Sequence, residues 1–141
     1  IVVRLVGSEM CIRDRVHTIP SPICNAYYRL AGAKLGKGVQ INTINLNDPS
    51  AVTVGDNVVI GGRSVINGHL VEKGQLVLAR VHLEKNCLIG AGTTIQPGVR
   101  IGEGAVIATN GLVGKWKEIP AGEVWGGLPV KLISKSSDRK A

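Results

Sequence analysis

An all-β solenoid, a parallel β-helix, is the fold this sequence predicts, and three observations predict it. Aliphatic residues recur every six positions, at Leu83, Ile89, Ile95, Ile101, Ile107, Val113 and Ile119. Small or medium residues stand four positions after successive anchors, at Cys87, Thr93, Val99, Ala105 and Gly111, and Gly90, Gly102 and Gly114 follow an anchor directly. The composition suits a narrow, regular interior: of 141 residues 44% are apolar and 19 are Gly, yet only 3% are aromatic and Phe is absent. A period of six fits neither an α-helix nor a simple alternating strand. It fits short strands joined by tight corners, where Gly adopts backbone angles barred to other residues. Three such sides make one triangular coil, and stacked coils bury the anchors as files.

At the start of the chain, residues 1–15 share no periodicity with the remainder. Their part from Leu5 to Arg15 resembles a translated sequencing-library adapter, so 1–15 is expected to be non-native and is set aside. The natural chain would then extend further upstream. Residues 16–34 are expected to hold a linker, marked by Ile19-Pro20-Ser21-Pro22, and a short amphipathic helix from Ile23 to Leu30. Such a helix would cap the open end of the solenoid, which otherwise presents bare strand edges. The β-helix domain is expected over 35–133. Its upstream half repeats the same grammar at Leu35-Gly36, Val39, Ile41, Val54-Gly55, Val58, Ile60-Gly61, Ser64 and Ile66. The phase slips by one residue between Ile41 and Val54, and again between Ile66 and Leu83, which locates loops. Two full coils fit between Leu83 and Ile119, with two or three more upstream, and 134–141 reads as a solvated tail.

Charge and cysteines exclude several classes. A net charge of +7 favours anionic partners in general. No Arg-rich run interleaves with aromatics and no nucleic-acid module is present, so nucleic acid is not an expected partner. Cys11, Cys24 and Cys87 show neither metal-type spacing nor a disulfide framework, which points to a reduced, cytoplasmic setting without a metal. No apolar run approaches transmembrane length.

The runs Gly68-His69-Leu70-Val71-Glu72, Val81-His82-Leu83, Ile89-Gly90-Ala91-Gly92, Ile95-Gln96-Pro97-Gly98-Val99 and Gly127-Leu128-Pro129-Val130-Lys131 resemble the hexapeptide-repeat acyltransferases, a superfamily that includes maltose, chloramphenicol and serine acetyltransferases. The left hand of the β-helix is implied by that resemblance, since parallel crossovers are otherwise right-handed. Ile119-Pro120-Ala121-Gly122-Glu123-Val124-Trp125-Gly126-Gly127-Leu128-Pro129 and 67–73 are similar to the C-terminal β-helical region of polylysine-synthetase-like nonribosomal peptide synthetases. A non-catalytic β-helical domain of such a larger protein is therefore the alternative to an enzyme.

The resemblance implies acyl transfer from acetyl-CoA or acyl-CoA, or from an acyl phosphopantetheine on a carrier protein, to a hydroxyl or amine of a small-molecule acceptor. His69 matches the family's general base, a role suited to a side chain that titrates near working pH. Glu72 is the expected orienting partner of its imidazole. Asn42 and Asn45 fall where relatives place an Asn beside the acceptor, although Asn is also common in corners because it tolerates left-handed angles. Gly90, Ala91 and Gly92 match a stretch lining the pantetheine groove, and Lys115 and Lys131 match positions near the cofactor phosphates. A solvated basic face is the plainer reading of those lysines. Two departures from the family pattern are Thr109-Asn110-Gly111, where an Ala-Gly-Ser is usual, and Leu128, where an Asn is usual. Relatives assemble as homotrimers; a tandem β-helix partner would serve in a synthetase. A zinc hydratase of the γ-carbonic anhydrase type would need three imidazoles. Only His69 and His82 lie within the repeats, with His17 in the linker, and not at that family's spacing.

Overall fold

The computed structural model describes residues 22–135. The adapter-like segment, His17 and most of the expected tail therefore lie outside the described residues. The chain enters through helix α1 (Pro22–Leu30), whose buried face is Cys24 and Tyr28, one helical turn apart. This side closes the first coil: the Tyr28 hydroxyl donates to the Thr43 carbonyl (3.2 Å) and the Asn25 amide to the Val39 carbonyl (2.7 Å).

Short strands then build three faces. Face A stacks β1 (Lys34–Leu35), β4 (Val52–Val54), β9 (Val81–Leu83), β12 (Arg100–Ile101) and β15 (Glu118–Ile119). Face B stacks β2 (Gln40–Ile41), β5 (Val59–Ile60), β10 (Leu88–Ile89), β13 (Val106–Ile107) and β16 (Val124–Gly126), with β17 (Lys131–Ser134) added antiparallel at its edge. Face C stacks β3 (Asn45–Leu46), β6 (Val65–Ile66), β11 (Thr94–Ile95) and β14 (Leu112–Val113). All pairs between coils are parallel.

The anchors meet in files. Face A buries Val54, Leu83, Ile101 and Ile119; face B buries Ile41, Ile60, Ile89 and Ile107; face C buries Leu46, Ile66, Ile95 and Val113. The intervening small residues fill the corners, and Cys87, Thr93, Val99 and Ala105 are all buried. Polar groups in one corner are satisfied from coil to coil. Thr43 Oγ1 donates to the Ser64 carbonyl (2.6 Å), Ser64 Oγ to that of Gly90 (3.0 Å) and Thr93 Oγ1 to that of Ala108 (3.2 Å). At the far end Trp125 takes the next place in the Ile107 file. Its indole N–H donates to Glu123 (2.9 Å) and the Lys117 ammonium lies 4.6 Å from its ring centre, so amphipathic side chains finish the apolar file.

The register shows what the two phase slips are. On face A, Lys34 pairs with Thr53, Thr53 with His82, His82 with Arg100 and Arg100 with Glu118, steps of 19, 29, 18 and 18 residues. The first slip combines a shortened B–C corner after Ile41 with an enlarged C–A corner, where a 3₁₀ turn (Pro49–Ala51) takes up the extra residues. The second is not a one-residue slip. It is an insertion of 11 residues, the excess of 29 over 18, which equals a slip of one only because the pattern repeats every six. That insertion forms an arm, a β-hairpin of β7 (His69–Glu72) and β8 (Gln75–Leu78). Strand β17 continues through Ser134, the first residue of the expected tail.

Candidate active site

The arm leaves the solenoid where face C passes into face A, after β6 and before β9. One coil below, the same corner holds Asp48 at the head of the 3₁₀ turn. Asp48 Oδ2 accepts from the backbone N–H of Gly68 (2.9 Å) and lies 2.6 Å from His69 Nδ1. A carboxylate oxygen accepts, so Nδ1 carries the donated proton, and in the neutral form of the ring the lone pair is then on Nε2. The side chains of His69 and Asp48 are 43% and 23% exposed, so the imidazole faces solvent while its anchor is more enclosed. Glycine is required at the junction. A Cβ on Gly68 would stand 2.6 Å from the Ala51 Cβ and 2.8 Å from the Asp48 Cβ. Beside it, Asn47 donates to Asn67 (2.6 Å), tying the same two corners together.

Asp48 thus holds the place expected of Glu72. Glu72 stands on the opposite side of the β7 strand from His69, as residues three apart do, and forms an ion pair with Lys115. Sequence reasoning missed Asp48, although the signal was present: the first phase slip marks a loop there, one coil beneath Gly68.

Five of the other expected residues lie along the two edges of face C. Lys115 lies in the C–A corner of the coil closed by β14, on the same edge as His69 and Glu72. Asn42, Gly90, Ala91 and Gly92 lie in B–C corners, on the far edge. Gly90 and Gly92 face the next coil at close range, and Ala91 accepts from the Asn110 N–H (2.8 Å). Asn45 is on face C itself, with its N–H donating to Thr43 Oγ1 (3.2 Å). Lys131 opens β17 and is exposed. His82 points outward from face A between buried Val81 and Leu83. Among the described residues no three His, Cys, Asp or Glu side chains come together to hold a metal ion, and no helix is long and apolar enough to cross a membrane.

Cys87 is a nucleophile by type only. Its thiol is buried and donates to the Gly102 carbonyl (3.0 Å), and burial pushes its pKa up to about 11.

Comparison with known proteins agrees with this architecture. Residues 80–115 match the bacterial transferase hexapeptide (six repeats) model, and 51–74 match the hexapeptide repeat of succinyl-transferase. The chain is 29% identical to delta-poly-L-ornithine synthetase of Acinetobacter baumannii, over 80% of this chain and 8% of that protein. It is 31% identical to galactoside O-acetyltransferase of Escherichia coli, over 74% of this chain and 55% of the enzyme. It is 33% identical to mitochondrial gamma carbonic anhydrase 2 of Arabidopsis thaliana, over 74% and 36%. The chain therefore spans between a small fraction and about half the length of these relatives. The solved hexapeptide-repeat acetyltransferase VCA0836 of Vibrio cholerae, complexed with acetyl coenzyme A, superposes with a TM-score of 0.69 at 23% identity, over 76% of this chain and 62% of that one. With stacked three-sided coils, a six-residue register and both repeat models matched, the chain belongs to the hexapeptide-repeat acyltransferase superfamily and has its left-handed parallel β-helix fold.

Proposed function

We propose that this chain catalyses acyl transfer from a thioester to the hydroxyl or amine of a small acceptor, with His69 as general base and Asp48 as the group that orients it. The observation that carries this reading is the Asp48–His69 contact at the root of the arm. It fixes which ring nitrogen is protonated and leaves Nε2 to take a proton. In the reaction Nε2 removes the acceptor proton as the acceptor oxygen or nitrogen attacks the thioester carbonyl. The C–S bond then breaks, and the imidazolium returns the proton to the leaving thiolate. Positioned base catalysis of this kind is worth about 10²–10⁴ in rate.

The donor is acetyl-CoA or another acyl-CoA. Gly90, Ala91 and Gly92 would line its pantetheine arm and Lys131 would meet its phosphates; Lys115 is already paired with Glu72. Gly90, Ala91 and Gly92 lie on the edge opposite His69, so a second β-helix, in a homotrimer or in tandem, would supply the facing wall of the groove. Asn42 and Asn45 are the acceptor contacts. An acyl group on a carrier-bound phosphopantetheine is the second reading of the donor, and the similarity to a short part of a poly-ornithine synthetase favours it.

In the test, His69→Ala should lower kcat by at least about 10²-fold while thermal melting and acetyl-CoA titration by calorimetry stay as in the wild type. Unchanged turnover would remove His69 from the mechanism. Heat with a phosphopantetheinylated carrier and none with acetyl-CoA would select the second donor.

A further inference from the structure

The arm carries a device that the acyl-transfer reading does not require. Strands β7 and β8 pair with each other and with no strand of the three faces. A lone two-stranded hairpin is marginal in water, so something other than the sheets must hold this one in place. The contacts at its two ends do so. At the root Asp48 receives Gly68 and His69. At the tip Glu72 reaches Lys115. Asp48 belongs to the corner of the first coil and Lys115 to that of the fourth, about 14 Å apart at the usual spacing of stacked strands. Strand β7 covers roughly 10 Å of that gap and side chains the rest. The arm therefore lies along the prism axis, over the C–A edge.

Its two surfaces differ. Leu70, Glu72 and Val77 are partly covered, whereas Val71, Leu76 and Leu78 are 73%, 60% and 68% exposed on the surface that also carries His69. The tip is a tight turn, with Lys73 and Gly74 both at positive φ (50° and 74°), as a two-residue hairpin loop demands. The hairpin should thus move as one ribbon about its root, and His69 is the first residue of that ribbon.

We infer that Glu72 and Lys115 form a clasp that holds a movable arm along the C–A edge, and that they act as positioning residues by setting the angle at which His69 is presented. The effect on His69 rests on the acyl-transfer reading; the clasp itself does not. Both side chains are almost half exposed, at 42% and 44%. A pair so exposed is weak and screened by salt, which makes it a reversible closure.

Amide hydrogen exchange over 69–78 tests the clasp in the full chain without turnover. Glu72→Gln and Lys115→Gln should each speed exchange in the arm about two- to fivefold while the amides of the coils are unaffected. The reversed pair, Glu72→Lys with Lys115→Glu, should restore the wild-type rate, and high salt should bring the wild type to the rate of the single variants. Arm exchange unchanged in both single variants, or not restored in the reversed pair, overturns the clasp.

Acyl-transfer kinetics then test the positioning of His69. The clasp requires both single variants to lower kcat in the same direction, with rescue in the reversed pair. If Lys115 instead serves a donor phosphate for which Glu72 competes, Lys115→Gln raises the donor KM and Glu72→Gln lowers it, and the positioning role is overturned. Absence of turnover in the wild type defeats the acyl-transfer reading, and the positioning role with it; the clasp is still decided by exchange.

Discussion

Asp48 makes two contacts with one oxygen, to the adjacent residues Gly68 and His69 at the root of the arm. Its carboxylate would ordinarily cap the turn it heads, yet it makes no side-chain cap bond there and is directed to Gly68 and His69. Replacing it by Asn keeps the size but offers an amide donor, which invites Nδ1 to accept and moves the ring proton to Nε2. Asp48→Asn should therefore cost about 10²-fold or more in kcat with the fold retained. Nitrogen-detected NMR of the imidazole would show the tautomer change, and a retained Nδ1–H with a normal rate would exclude the orienting role. Cys87 shows the opposite use of a reactive side chain. Its raised pKa means that the folded protein holds the thiol proton more tightly than the unfolded chain does. The associated stability is fully present below about pH 9, the ordinary thiol value, and is lost as pH rises through about 11. Alkylation by iodoacetamide at pH 8 should accordingly be much slower for Cys87 in the native protein than in denaturant, as peptide mass spectrometry can follow.

The elements divide into those that repeat and those that interrupt. A two-residue strand has no stability alone, so each is held by its neighbours in the stack and by the corner that sets its register. The arm is the exception, since its strands pair only with each other and its polar ties to the coils lie at a root and a tip. Gly68 is the close point of that root. A methyl group there would collide with Ala51 and Asp48, both packed against the turn. Gly68→Ala should lift the arm from Asp48, lower stability by roughly 1–3 kcal/mol and raise exchange over 69–78. A melt and exchange pattern equal to the wild type would show that the corner relaxes at no cost.

For the whole molecule, cooperativity runs along the axis because the strands of each coil pair only with those of the coils above and below it. A defect in the middle should therefore weaken both halves. Ile95 is fully buried in the third coil, between Ile66 and Val113, with face C on either side of it. Ile95→Ala should cost roughly 2–5 kcal/mol in a urea titration, and a loss well below that range would mean that neighbouring files collapse into the gap. The two ends need different treatment from the middle. Tyr28 on α1 closes one, and Trp125 with Lys117 finishes the other, which explains why the few aromatics of this chain stand near the termini of the stack.

The coil was legible in the residues themselves. Side-chain direction alternates along each short strand, so one aliphatic anchor every six positions is enough to give a narrow apolar interior, and Leu83 through Ile119 showed it without a gap. The capping helix was legible as well, because Cys24 and Tyr28 lie one turn apart. The size and shape of the insertion were not, since a count taken against a six-residue period cannot separate a slip of one from an insertion of 11 residues. Nor was the partner of His69. Glu72 is its near neighbour in sequence, but alternation in β7 turns the two side chains to opposite surfaces. Asp48 lies 21 positions away and becomes adjacent only when one coil is laid upon another. The periodic part of this protein is set by local pattern, because each position is buried or exposed by its own phase. The chemistry proposed for it depends on contacts between coils, and only the stacking of the coils decides them.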